Sequence, residues 1–105
     1  MHIPEQWVLI KYKSEGETRK KVFASWRGGY ATSDYWKLNS GVKSTTHTKE
    51  YVDFHGHSGS TYRCYYNREG RDRMGPYNNS VLDEVLTKLK GKIINDRPDS
   101  TTLSS

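Results

Sequence analysis

Residues 51–67 read YVDFHGHSGSTYRCYYN, and the fold turns on whether this stretch is a metal site, the surroundings of a nucleophile or a β-hairpin. From Lys49 to Gly56 the chain alternates, with Val52 and Phe54 on one face and Tyr51, Asp53, His55 and His57 on the other. Gly56 and Gly59 make GHSGS a plausible tight connection. Beyond it Tyr62, Cys64 and Tyr66 share one face of a second strand, and Thr61, Arg63 and Tyr65 the other. The stretch therefore reads as a decorated hairpin.

Its polar groups also invite a chemical reading. Asp53, His55 and His57 would project from one strand face at intervals of about 6.6–7 Å, wider than two ligands of one metal usually stand unless Gly56 bends the backbone. Asp-x-His-x-His also lacks the paired spacing of a metal motif. The expectation is exposed polar strand residues, with a small metal-dependent hydrolase on Asp53, His55 and His57 as an alternative. Cys64 is expected to be a small buried hydrophobe, the alternative being a nucleophile activated by His55 or His57 across the hairpin. Ser58-Gly59-Ser60 does not have the glycine spacing of a hydrolase elbow, and WRGGY at 26–30 does not have that of a phosphate loop. No catalytic residue and no cofactor is expected.

Outward from the hairpin, QWVLIKYK (6–13) and KKVFASW (20–26) are short runs rich in β-branched and aromatic residues, separated by SEGETR. They read as a first hairpin. In the second run Val22, Ala24 and Trp26 share one face and Lys21, Phe23 and Ser25 the other, which suggests a sheet with one side better buried. After the loop RGGYATSD, the run YWKLNSGVKSTTHT reads as a third strand, bulged or broken at Asn39-Ser40-Gly41. REGRDRMGPYNN (68–79) reads as an exposed loop, in which Glu69 and Asp72 offer the arginines local partners. A helix is predicted over 80–91 on a Ser80–Asp83 capping box and the stripe Val81, Leu82, Val85, Leu86 and Leu89. The predicted fold is α+β, an antiparallel sheet of about five strands with one C-terminal helix packed on one face. A single domain is expected over 1–94, with residues 95–105 a disordered tail.

Composition narrows the function classes. One cysteine in 105 residues excludes an internal disulfide framework and any multi-cysteine metal site, and it suits a reducing compartment. No stretch approaches the roughly 18 apolar residues of a spanning helix, and the N-terminal residues lack the pattern of a signal peptide. A cytoplasmic protein is expected, with no membrane partner and no small-molecule substrate. Mean hydropathy is −0.97, yet eight Tyr, three Trp and two Phe are present, and such rings can build a core while keeping their polar edges wet. The formal charge of +5 favours encounter with polyanions.

Rings and cations also occur together, at Trp26-Arg27, Tyr30, Tyr35-Trp36-Lys37, Arg63, Tyr65 and the loop arginines Arg68, Arg71 and Arg73. Single-stranded nucleic acids are held by this combination, with bases on rings and phosphates on cations. The competing explanation is that many of these rings simply form the core. The candidate binding residues are Trp26, Arg27, Tyr30, Trp36, Lys37, Arg63, Tyr65, Arg68, Arg71 and Arg73.

The strings SWRGGY (25–30), WKLNSG (36–41) and FHGHSGSTY (54–62) resemble a pattern found in small uncharacterised accessory proteins of tailed bacteriophages. The resemblance spans roughly residues 20–90 and carries no catalytic residues. It implies a non-enzymatic protein that acts in an infected bacterium by binding a host macromolecule. The partner expected is a nucleic acid. The alternative is a host protein of the defence, transcription or nuclease machinery that the chain inhibits or modulates, and pairing of edge strands into a homodimer is left open.

Overall fold

The computed structural model describes residues 1–28 and 34–95. Within them the chain forms β1 (Gln6–Ser14), β2 (Glu17–Trp26), β3 (Tyr35–Leu38), β4 (Val42–His47), β5 (Tyr51–Gly56), β6 (Thr61–Tyr65), a 3-10 turn at Tyr66–Arg68, α1 (Pro76–Leu89) and β7 (Lys92–Ile94). The class is α+β with antiparallel pairing, as the periodicity predicts. The expected single sheet of about five strands is corrected to seven strands in two sheets, ordered β3-β2-β1-β7 and β4-β5-β6.

The division happens at Asn39-Ser40-Gly41, where the residues suggest a bulge or break in one strand. The buried Asn39 side chain accepts the Val22 N–H at 2.8 Å, and its backbone N–H reaches the Val22 carbonyl at 3.1 Å. Asn39 thus ends the pairing with β2. Gly41 follows at φ +131, with His57 so close that an added Cβ would stand 3.0 Å from the ring, so only glycine fits this turn into the second sheet comfortably.

The two sheets pack face to face. Trp7, Leu9, Val22 and Ala24 from the first meet Val52, Phe54, Tyr62 and Cys64 from the second. On the first sheet's other face, Val8, Ile10 and Phe23 pack with Met74 and with Leu82 of α1. The result is three layers of helix, sheet and sheet, which explains why WVLI at 7–10 is continuously apolar: both of its faces are covered. The expectation that β2 has one better-buried side is corrected, since Phe23 and Ser25 are as buried as Val22 and Ala24.

The helix starts earlier than the capping box suggests. Pro76 occupies the first turn, where its fixed φ and missing N–H cost nothing, so Ser80 and Asp83 lie inside the helix. It ends at Lys90, which takes a left-handed cap at φ 52. Gly91 then passes so close to β1 that an added Cβ would lie 2.7 Å from Ile10 Cγ2. This approach lets residues 92–94 pair with β1 as a seventh strand. The predicted tail at 95–105 lies outside the described residues apart from Asn95.

Candidate nucleic-acid interface

The hairpin at 51–65 forms in the expected register, with Val52 opposite Cys64 and Asp53 opposite Arg63. Its turn closes through Gly56 N–H to the Ser60 carbonyl, with Gly59 at φ +93. Cys64 lies on the inner face, wholly buried, and burial pushes its thiol far above the usual range. His55 lies on the outer face opposite Thr61, so the imidazole and the thiol are on opposite sides of the sheet.

The expectation that Asp53 is an exposed strand residue is corrected. It is 7% exposed and receives two parallel hydrogen bonds from Arg63, at 2.9 and 3.0 Å. The two nitrogens of His55 meet Thr46 at 2.9 Å and Thr61 at 3.1 Å, and His57 is across the turn beside Gly41. Asp53, His55 and His57 therefore do not converge, and the described residues contain no group of three or more His, Cys, Asp or Glu placed to hold a metal.

The ring and cation candidates fall into two regions. On the outer face of the second sheet, Arg63 lies over the Tyr51 ring at 4.1 Å, and Tyr65 meets the same ring edge-on at 5.4 Å. The hydrogen bond to Asp53 is the main cause raising the pKa of Arg63 above its already high value. This cation already has a carboxylate partner, so the region offers little free positive charge.

The other region begins at the edge of the first sheet. Trp26 faces Tyr35 directly across β2 and β3, with ring centroids 4.9 Å apart and planes at 6°. The Trp26 indole N–H donates to the Ile3 carbonyl at 3.0 Å, while Tyr35 is 51% exposed. Two residues beyond Tyr35, Lys37 lies on the same strand face and is exposed. Trp36 projects from the opposite face, stacked on Phe23 at 5.6 Å.

Arg27 connects this stack to the arginine loop. Its guanidinium donates twice to the Arg73 carbonyl, at 2.8 and 3.1 Å. Arg73 and Arg68, both exposed, line a shallow depression together with Glu5 and Gln6. Arg71 is held differently: it donates to Asn79 Oδ1, the Asn79 carbonyl and Asp83, pinning the loop to α1. The carboxylate that Arg71 meets at 2.8 Å, Asp83, comes from twelve residues further along, on α1. Tyr30 lies outside the described residues.

Tyr35 is not among the binding residues expected from sequence. Its signal is the pairing of Trp26 with the first residue of the next strand, but seeing it requires the length of the intervening loop and the register of β3. No helix among the described residues is long and apolar enough to cross a membrane. In comparisons with known proteins, no family model, no curated protein and no solved structure matches the chain.

Proposed function

We propose that the chain is a non-enzymatic binding protein that holds single-stranded nucleic acid along the edge running from Tyr35 and Lys37 through Trp26 and Arg27 to Arg73 and Arg68. The observation that carries this reading is the parallel Trp26–Tyr35 pair, with half of Tyr35 in solvent and the exposed Lys37 two residues along the same face of β3. A base can extend the stack while its phosphates meet the cations. The formal charge of +5 supports it. In the phage setting implied by the sequence resemblance, the partner is a nucleic acid of the infected cell.

The test is fluorescence anisotropy with a labelled oligonucleotide across a salt series. The parent should bind with affinity that falls steeply with salt. Lys37→Gln should reduce the slope of log affinity against log salt by about 0.7 for each phosphate of a single strand that the lysine neutralises. Absence of binding at low salt would sink the proposal.

A second reading has its own observation. β3 is the outermost strand of its sheet, and it presents Tyr35 and Trp36, both exposed, on opposite faces. An extended segment of a host protein can add to such an edge, with the two rings as anchors. Pull-down from nuclease-treated bacterial lysate separates the two readings: a protein retained by the parent and released by Trp36→Ala favours the second.

A further inference from the structure

Along the inner face of the first sheet, the side chains change abruptly from apolar to basic. Ile94, Leu9 and Val22 are direct partners across β7, β1 and β2, and all three belong to the core between the sheets. The next residues on that face lie two positions along each strand. They are Lys92, Lys11 and Lys20, again direct partners in the same register. Two positions further on β1, Lys13 stands opposite Thr18. The face therefore ends in four lysines, and none of the β1, β2 or β7 residues on it is acidic.

Residues directly opposite on neighbouring strands hold their Cβ atoms about 4.5–5.5 Å apart, and like charges so placed are destabilising. The rung Lys92–Lys11–Lys20 contains two such pairs. Glu17 does not relieve them, because alternation sends it to the other face, where it meets Arg19 at 3.2 Å. Lys20 is half-buried and has an interaction of its own, which leaves Lys11, Lys13 and Lys92 to carry the exposed charge. All three are exposed, and none forms an ion pair among the described residues.

This end of the face offers charge without apolar anchors. Its exposed residues are Lys11, Lys13, Lys92 and Thr18, while Tyr12 and Ile93 fall on the other face by alternation. A protein partner is typically anchored by aromatic or arginine side chains in its centre, and a membrane surface by apolar ones. Lysine instead meets phosphate as a point charge. Ammonium groups rooted about 5 Å apart across strands and about 7 Å apart along them suit a partner whose negative charges repeat along a chain.

We propose that Lys11, Lys13 and Lys92 form a second, sequence-independent contact for the sugar-phosphate backbone of nucleic acid. It rests on the reading of the chain as a nucleic-acid binder, but not on the Trp26–Tyr35 stack. Lys20, the β2 member of the rung, and Trp26 are six residues apart on one strand, about 20 Å at the usual rise. The lysine face therefore lies away from the stack and widens the footprint on a bound strand.

The test is anisotropy of a labelled oligothymidylate, longer than the roughly 16 nucleotides that one small fold covers at most, across a salt series. Lys11→Gln combined with Lys92→Gln should lower the slope of log affinity against log salt by about 1.4, at about 0.7 for each single-strand phosphate released. Its Tm should equal or exceed the parent's, since a like-charge pair is removed. Lys49→Gln combined with Lys88→Gln removes the same charge from exposed positions elsewhere and should leave the slope near the parent's. Tyr35→Ala is measured alongside to judge the stack separately. A lower slope in the Lys11 and Lys92 variant alone supports the lysine face, whatever Tyr35→Ala does. An unchanged slope there, with binding weakened by Tyr35→Ala, overturns the lysine face and leaves the stack standing. Equal losses in both lysine variants would show attraction by net charge alone and overturn it, as would a Tm well below the parent's, which would mean that these lysines hold the fold. A parent that binds phosphatidylserine vesicles and no oligonucleotide would end both readings.

Discussion

Trp26 and Tyr35 face each other across neighbouring strands with their rings 4.9 Å apart and 6° from parallel, although eight residues separate them in the chain. Tyr35 is the more exposed member, so its removal should affect binding more than folding. Tyr35→Ala is expected to weaken oligonucleotide binding by about 1–3 kcal/mol, the usual contribution of one stacked base. The melting transition should move by only a few degrees. Unchanged affinity in anisotropy would remove the stack from the interface.

The stack depends on a buried amide. Asn78 of α1 is fully buried and donates to Ser25 Oγ at 2.8 Å and to the Tyr35 carbonyl at 2.9 Å, tying helix, β2 and β3 together. Asn78→Ala leaves those acceptors without their donor in a dry site and should cost about 1–3 kcal/mol in denaturant unfolding. If β3 is positioned this way, amide exchange should rise at Tyr35–Leu38 more than at β5 and β6. A uniform rise across both sheets would contradict that link.

The segment before β1 should respond to pH through His2. Its ring packs on Tyr62 at 4.7 Å, and its backbone bonds to Thr61 and Arg63 at 2.9 and 2.8 Å. Burial first, and then the charge of Lys37, lowers its pKa from 6.5. As pH falls below about 6.5 the unfolded chain takes up this proton before the folded one does. Stability present above that pH therefore declines below it, then levels off once the folded histidine is also protonated. His2→Gln should remove this part of the pH dependence of Tm. Parallel curves for parent and variant down to about pH 5 would exclude His2 as its source.

Cys64 should be chemically quiet. It is fully buried on the inner face of β6, and burial holds its thiol protonated at neutral pH. A thiol-specific disulfide reagent should label the native chain only as fast as the domain opens, and label it at once in denaturant. Rapid labelling of the folded protein would mean that the inter-sheet core opens locally around β6.

Some of this protein was determined by local sequence alone. The alternation in YVDFHG and TYRCY specified the second hairpin, the runs at 6–13 and 20–26 the first, and the stripe from Val81 to Leu89 the helix, because each element's own side chains must cover its own apolar face. Tertiary structure decided how those faces were distributed. Asn39 ends one sheet by bonding to Val22, seventeen residues earlier, and Gly91 lets a three-residue strand reach β1 only because Ile10 is there to approach. The same holds for charge. Arg63 pairs with Asp53 and Arg71 with Asp83 across strand and helix, while Arg27 reaches the Arg73 carbonyl from another part of the chain. Periodicity is a property of neighbouring residues, but a salt bridge or a sheet boundary depends on distances through space that only the folded chain sets.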